Sequence, residues 1–131
     1  MNDVHEVVMA LLRRKDRVLL CHRSPDREWF PDVWDFPGGH VEPGEHAADA
    51  LVREVHEELG VAIDAPTDAT FGTLDDRDMH GVVWVVDSWR GEPVNCCPDE
   101  HDAIGWFTVE EARGLRLVDE RAFRLIERAL G

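Results

Sequence analysis

Glu54, Glu57 and Glu58 stand in the run GGHVEPGEHAADALVREVHEELGV, Gly38 to Val61. On a helix at about 100° per residue they fall in one narrow sector. Ala47 and Ala50 fall in the same sector, so nothing bulky screens it. Like charges three and four residues apart repel and cost helix stability. A hard cation such as Mg²⁺ or Mn²⁺ takes oxygen ligands and offsets that repulsion. The glycines of Pro37-Gly38-Gly39 would let a backbone carbonyl approach the same ion. Mg²⁺ takes few protein ligands and completes its shell with water and substrate phosphates. The chemistry indicated is metal-assisted attack by water on a phosphoryl substrate. Taken alone, the three acids are equally accounted for as a solvated helix face.

Ala48, Leu51, Val52, Val55 and Leu59 recur at helical spacing, predicting a helix over Glu45–Leu59 stopped by Gly60. Its apolar stripe lies about a third of a turn from the acids, so the helix can bury one face and aim the other at a cleft. Upstream, residues 4–12 and 17–22 read as a strand hairpin around a charged turn. Residues 24–35 read as a loop with Pro25 and Pro31, carrying Trp29, Phe30 and Trp34. Downstream, strands are expected over 69–74, 81–89 and 103–107, with a short one over 61–63 and a loop over 91–100. The apolar run Val82 to Val86 suits a central strand buried on both faces. Thr108 with Glu111 forms a capping-box pair, and residues 118–130 are amphipathic. This order of elements predicts an α/β protein, an α/β/α sandwich around a mixed sheet.

A chain of 131 residues fits a single domain over 1–131. A net charge of -14 argues against binding a nucleic acid polymer, which calls for clustered Lys and Arg. It leaves a nucleotide substrate open, because a metal ion can mediate the phosphate contact. Cys21, Cys96 and Cys97 form neither a disulfide framework nor a zinc spacing, which favours a reduced, cytoplasmic setting. The N-terminal residues lack the order of a signal peptide, and no apolar run is long enough for a membrane span. Monomer and homodimer both remain open.

From Gly39 the chain reads Gly, five residues, Glu45, seven residues, then Arg53-Glu54-Val55-x-Glu57-Glu58-x-Gly60-Val61. This resembles the signature of the Nudix hydrolases over residues 39–61. The resemblance implies the α/β/α sandwich and hydrolysis of a nucleoside diphosphate linked to a further group. It implies Glu54, Glu57 and Glu58 as metal ligands, a carbonyl ligand from Gly38, and a Glu45–Arg53 pair holding loop to helix. Either Glu54 or Glu57 would orient or deprotonate the water, and Gly39 and Gly60 would be conformational. The stretches Trp34-Asp35-Phe36-Pro37-Gly38-Gly39 and Trp89-Arg90-Gly91-Glu92-Pro93 resemble the MutT-type nucleoside triphosphate pyrophosphohydrolases. Those split a triphosphate, canonical or oxidised, into monophosphate and pyrophosphate.

By that likeness Arg23 is a phosphate contact, unless it is simply a solvent-facing strand end. Relatives place a further metal-binding glutamate before the last strand, where this chain has Cys97. Asp99 or Glu100 would replace it after a small shift of the loop, with Glu100 the expected ligand. Phe36, His80 and Asp119 are candidates for the base pocket. Asp119 is alternatively the N-cap of the last helix. Trp34, with Trp29 and Phe30, would stack on a base or seal the core. Other readings are a nucleoside diphosphate sugar, ADP-ribose or dinucleotide pyrophosphatase, and, from a different class, a non-catalytic nucleotide-sensing module.

Overall fold

The expected hairpin forms, but its strands soon part. In the computed structural model, which describes residues 4–131, β1 (His5–Arg14) and β2 (Arg17–Arg23) pair only beside their turn, Arg13 with Val18 and Arg14 with Arg17. Beyond that point β1 pairs in parallel with β6 (Met79–Val86) and antiparallel with β4 (Gly38–His40). β5 (Gly72–Asp75) lies outside β6. β2 takes β3 (Trp34–Asp35) and β7 (His101–Phe107). All seven strands belong to one mixed sheet.

Side chains alternate along a strand, and here both sides are covered. Val8, Ala10 and Leu12 of β1, with Leu19 and Cys21 of β2, pack under α1 (Ala47–Leu59) against Leu51, Val55 and Leu59. Met9 and Leu11, with Val18 and Leu20, face the other way. They meet Ala112 of α2 (Val109–Arg113) and Ala122, Leu125 and Ile126 of α3 (Glu120–Leu130). This is the α/β/α sandwich the sequence predicts. It also explains why these strands are apolar at every position rather than at every second one.

Boundaries shift where polar residues leave the sheet. β6 runs 79–86 rather than 81–89, because Asp87 turns out to a two-pronged pair with Arg13. β5 starts at Gly72, not Ala69, and the piece expected over 61–63 is a lone bridge, Ala62 with Arg90. The first helix begins at Ala47, two residues later than predicted, leaving Glu45 outside it. Gly60 ends that helix in the left-handed conformation at φ 73°, which favours glycine. Thr108 and Glu111 close the capping box, and Asp119 caps α3. Met1 to Asp3, part of the N-terminal reading, lie outside the described residues. Among the described residues, no helix is long and apolar enough to cross a membrane.

Candidate metal and active site

Arg53 is the hub of the acidic face of α1. Its Nε and Nη2 each donate to Glu45 at 2.9 Å, and Nη2 also donates to the His40 carbonyl at 3.0 Å. Its Nη1 donates to Glu54 at 2.8 Å and to Glu57 at 3.3 Å. One guanidinium therefore offsets the repulsion among carboxylates that the sequence leaves unexplained. Its fork matches carboxylate geometry, which a lysine would not. The bond to Arg53 draws Glu45 down to about 2. Starting the helix at Ala47 leaves Glu45 in the preceding loop, where it also accepts the Glu42 N–H at 3.0 Å.

Glu58 turns away from this hub. It is 5% exposed and accepts the Gly38 N–H at 2.7 Å. Gly38 sits opposite Met9 across β4 and β1, with its N–H pointing away from β1. In an antiparallel ladder a residue's carbonyl faces the same way as its N–H, so the Gly38 carbonyl is also on the α1 side. A Cβ on Gly39 would fall within 2.5 Å of both Glu54 carboxylate oxygens. Glu58 and Glu54 thus lie against two adjacent glycines, Gly38 and Gly39 respectively.

The loop after β6 closes the site. The Val94 N–H bonds the Leu59 carbonyl at 3.0 Å, and the Cys96 N–H bonds the Glu58 carbonyl at 2.9 Å. The Cys97 thiol reaches the Glu57 carbonyl at 3.6 Å. This docking brings one ligand atom each of Glu58, Glu100 and His101 within 4.8 Å of one another. Burial, with Glu54, Glu100 and Asp35 nearby, pushes Glu58 up to about 8 against the Gly38 bond. Burial also raises Glu54, against the pull of Arg53. Carboxyls held this close and this dry resist ionisation. A divalent cation among them would relieve that cost, and the oxygen-rich donor set fits one.

A second group of residues lies on β3, β5, β6 and the start of α3. Trp34 exchanges main-chain bonds with the segment before α3, its N–H to Arg116 and its carbonyl to the Val118 N–H. Asp119 follows and accepts the Arg121 N–H and side chain. Arg121 also donates to the Asp75 carbonyl at 2.8 Å, and the Asp75 carboxylate pairs with His80 at 2.6 Å. The candidates His80 and Asp119 are thus linked through Asp75 and Arg121, and Trp34 is tied to Val118 just before Asp119. The bonds to Arg121 hold Asp119 below its usual range, so it stays ionised and accepts without donating.

Phe36 is 3% exposed and packs in the α3-side core, because that face of β1 and β2 needs a large side chain there. Arg23 spends Nε and Nη2 on the Trp29 and Phe30 carbonyls. It therefore props the loop that leaves Trp29 70% exposed. Two residues escaped the sequence reading. Asp35 is pushed by burial to about 6, with Asp119 adding to it and Arg23 opposing; an acid between two aromatics before Pro-Gly-Gly is the signal that could have found it. His101 is 4% exposed, and its adjacency to Glu100 at a strand start is the corresponding clue.

A NUDIX domain model matches residues 3–129. The CTP pyrophosphohydrolase of Escherichia coli (strain K12) is 36% identical over 115 residues, covering 82% of this chain and 78% of that protein. The nucleoside triphosphatase NudI of Salmonella agona (strain SL483) is 31% identical over 117 residues, covering 80% and 82%. The MutT NUDIX hydrolase structure from Burkholderia pseudomallei superimposes with a TM-score of 0.83 at 26% identity, covering 96% of this chain and 98% of that one.

Proposed function

The chain belongs to the Nudix hydrolase family, and from that membership we propose that it splits a nucleoside triphosphate, canonical or oxidised, into monophosphate and pyrophosphate with Mg²⁺ or Mn²⁺. Two relatives covering most of the chain are named for nucleoside triphosphates, which supports this substrate class. The observation that carries the reading is Glu54 and Glu58 laid against Gly38 and Gly39, beside the Arg53 hub.

Glu54, Glu57, Glu58 and Glu100 would hold the ion, with the Gly38 carbonyl as a further donor. When bound, such an ion neutralises phosphate charge and lowers the pKa of a coordinated water. Arg53, fixed by Glu45, sets the positions of Glu54 and Glu57. Glu54 is the better placed of these two to take the proton from water, because its side chain is 15% exposed beside Gly39 while that of Glu57 is 53% exposed. Asp119 accepts from an amino or imino group of the base, His80 lines the pocket beside it, and Trp34 offers a ring face. Phe36 acts from the core, supporting Asp35 and Trp34. Arg23 orders the loop over the phosphates and keeps Nη1 for them. The three free thiols, Cys21, Cys96 and Cys97, suit a reduced, cytoplasmic setting.

A panel of canonical and oxidised nucleoside triphosphates, ADP-ribose, sugar nucleotides and dinucleoside polyphosphates tests the reading, with Glu57→Gln as control. Monophosphate and pyrophosphate from one triphosphate, lost in the control, is the expected outcome. Turnover confined to ADP-ribose or a sugar nucleotide would overturn the substrate class, and tight binding without turnover would make the chain a sensor.

A further inference from the structure

The geometry points to His101 as a nitrogen ligand of the metal centre, an inference that rests on the metal site proposed above. The resulting mixed oxygen and nitrogen donor set favours Mn²⁺, Co²⁺ or Zn²⁺ over Mg²⁺.

His101 is 4% exposed, and its imidazole makes no hydrogen bond among the described residues, with Nδ1 fully buried. Its Nε2 lies 3.6 Å from Glu58 Oε2. That is too long for a hydrogen bond. It is close to the separation of about 3.0–3.4 Å between neighbouring ligands that each sit about 2.1 Å from one ion. Glu100 brings its own ligand atom into the same group, within 4.8 Å of the other two.

The main chain is built to hold the ring there. The His101 N–H bonds the Cys97 carbonyl at 2.9 Å, and its carbonyl accepts from Asn95 Nδ2 at 2.7 Å. The β2–β7 register runs His22 with Ala103 and then Arg23 with His101, so Asp102 is an extra residue. A bulge of this kind re-aims the side chains beside it. Asp102 turns to His22 at 2.6 Å, while His101 meets Glu58 from α1. With regular pairing the alternation would place Asp102, not His101, on the α1 side.

The ligand chemistry sets the preference. Mg²⁺ takes oxygen and demands near-ideal octahedral geometry. Imidazole suits the later divalent metals, and affinity rises from Mn²⁺ to Co²⁺. The wild-type chain would therefore bind Mn²⁺ at least about tenfold tighter than Mg²⁺, and His101→Gln would remove most of that difference while leaving Mg²⁺ affinity within about threefold.

Electron spin-echo spectroscopy of bound Mn²⁺ reads the nitrogen directly, without turnover. Wild-type protein should show a ¹⁴N coupling of directly bound imidazole, replaced by the ¹⁵N pattern after histidine labelling and lost in His101→Gln. A triple variant at the exposed His40, His46 and His56 must keep the coupling, which preserves the test if His101→Gln does not fold. Bound Mn²⁺ with no nitrogen coupling, or a coupling lost in the triple variant, overturns the role of His101 and leaves the carboxylate site standing. Failure of wild-type protein to bind Mn²⁺ at millimolar concentration overturns both.

Discussion

Glu58 shows what burying a carboxylate among other acids costs. It is buried, and its folded pKa of about 8 lies above the ordinary 4.5. Between those values the folded state keeps a proton that the unfolded state has released, so stability falls as pH rises. Asp35, raised to about 6, adds a smaller loss of the same sign at lower pH. Metal-free protein should lose a few kcal/mol between about pH 5 and pH 8, measured by urea denaturation. In Glu58→Gln most of that slope should vanish, because an amide has no proton to release, while its oxygen can still accept the Gly38 N–H and keep the fold. The same variant should lose more than about 10²-fold in kcat/KM, beyond the 10–100-fold typical of a group that only supports a ligand. A steep slope surviving in Glu58→Gln would place the cost elsewhere.

At the scale of elements, β4 meets α1 through two glycines with different neighbours. A Cβ on Gly38 would strike main-chain atoms of β1, including Met9 Cα at 2.8 Å. The three atoms nearest a Cβ on Gly39 all belong to the Glu54 carboxylate, the end of a flexible side chain. Gly38→Ala should therefore cost stability, about 1–3 kcal/mol as for overpacking. Gly39→Ala should stay within about 1 kcal/mol of wild type and weaken Mn²⁺ binding about tenfold or more by moving Glu54. Thermal melting and a Mn²⁺ titration of both variants separate the two effects. α1 was legible in the sequence because its stripe, its acids and Gly60 all follow one local period. The capping box at Thr108 was legible for the same reason. The parting of the hairpin was not, since an apolar run does not name its partner strand. Nor was the place of His101, which depends on a bulge against β2 and on a loop tied to α1 from the opposite direction in sequence. Asp119 was legible as a cap, yet its ionised state depends on Arg121, whose pairing the sequence did not reveal.

Across the whole molecule, β1 feeds both cores at once. Leu11 is 0% exposed beneath α3, and Leu12 is 0% exposed beneath α1. Leu11→Ala and Leu12→Ala should each cost about 2–5 kcal/mol by leaving a cavity, read as a shift of the urea midpoint. A cation held only by the folded state should stabilise it, by about 2.7 kcal/mol at one hundred times Kd. Absence of any rise in Tm with Mn²⁺ would contradict this. The loop that completes the site is anchored differently from either core. Its ties to α1 at Val94 and Cys96 run between main-chain atoms, which are indifferent to the side chains they carry. A lineage can therefore exchange the side chain at position 100 without renegotiating the fold, whereas a change at 97 also gives up the thiol contact with the Glu57 carbonyl. Descendants of one ancestor can drift toward different metals while their scaffold stays fixed.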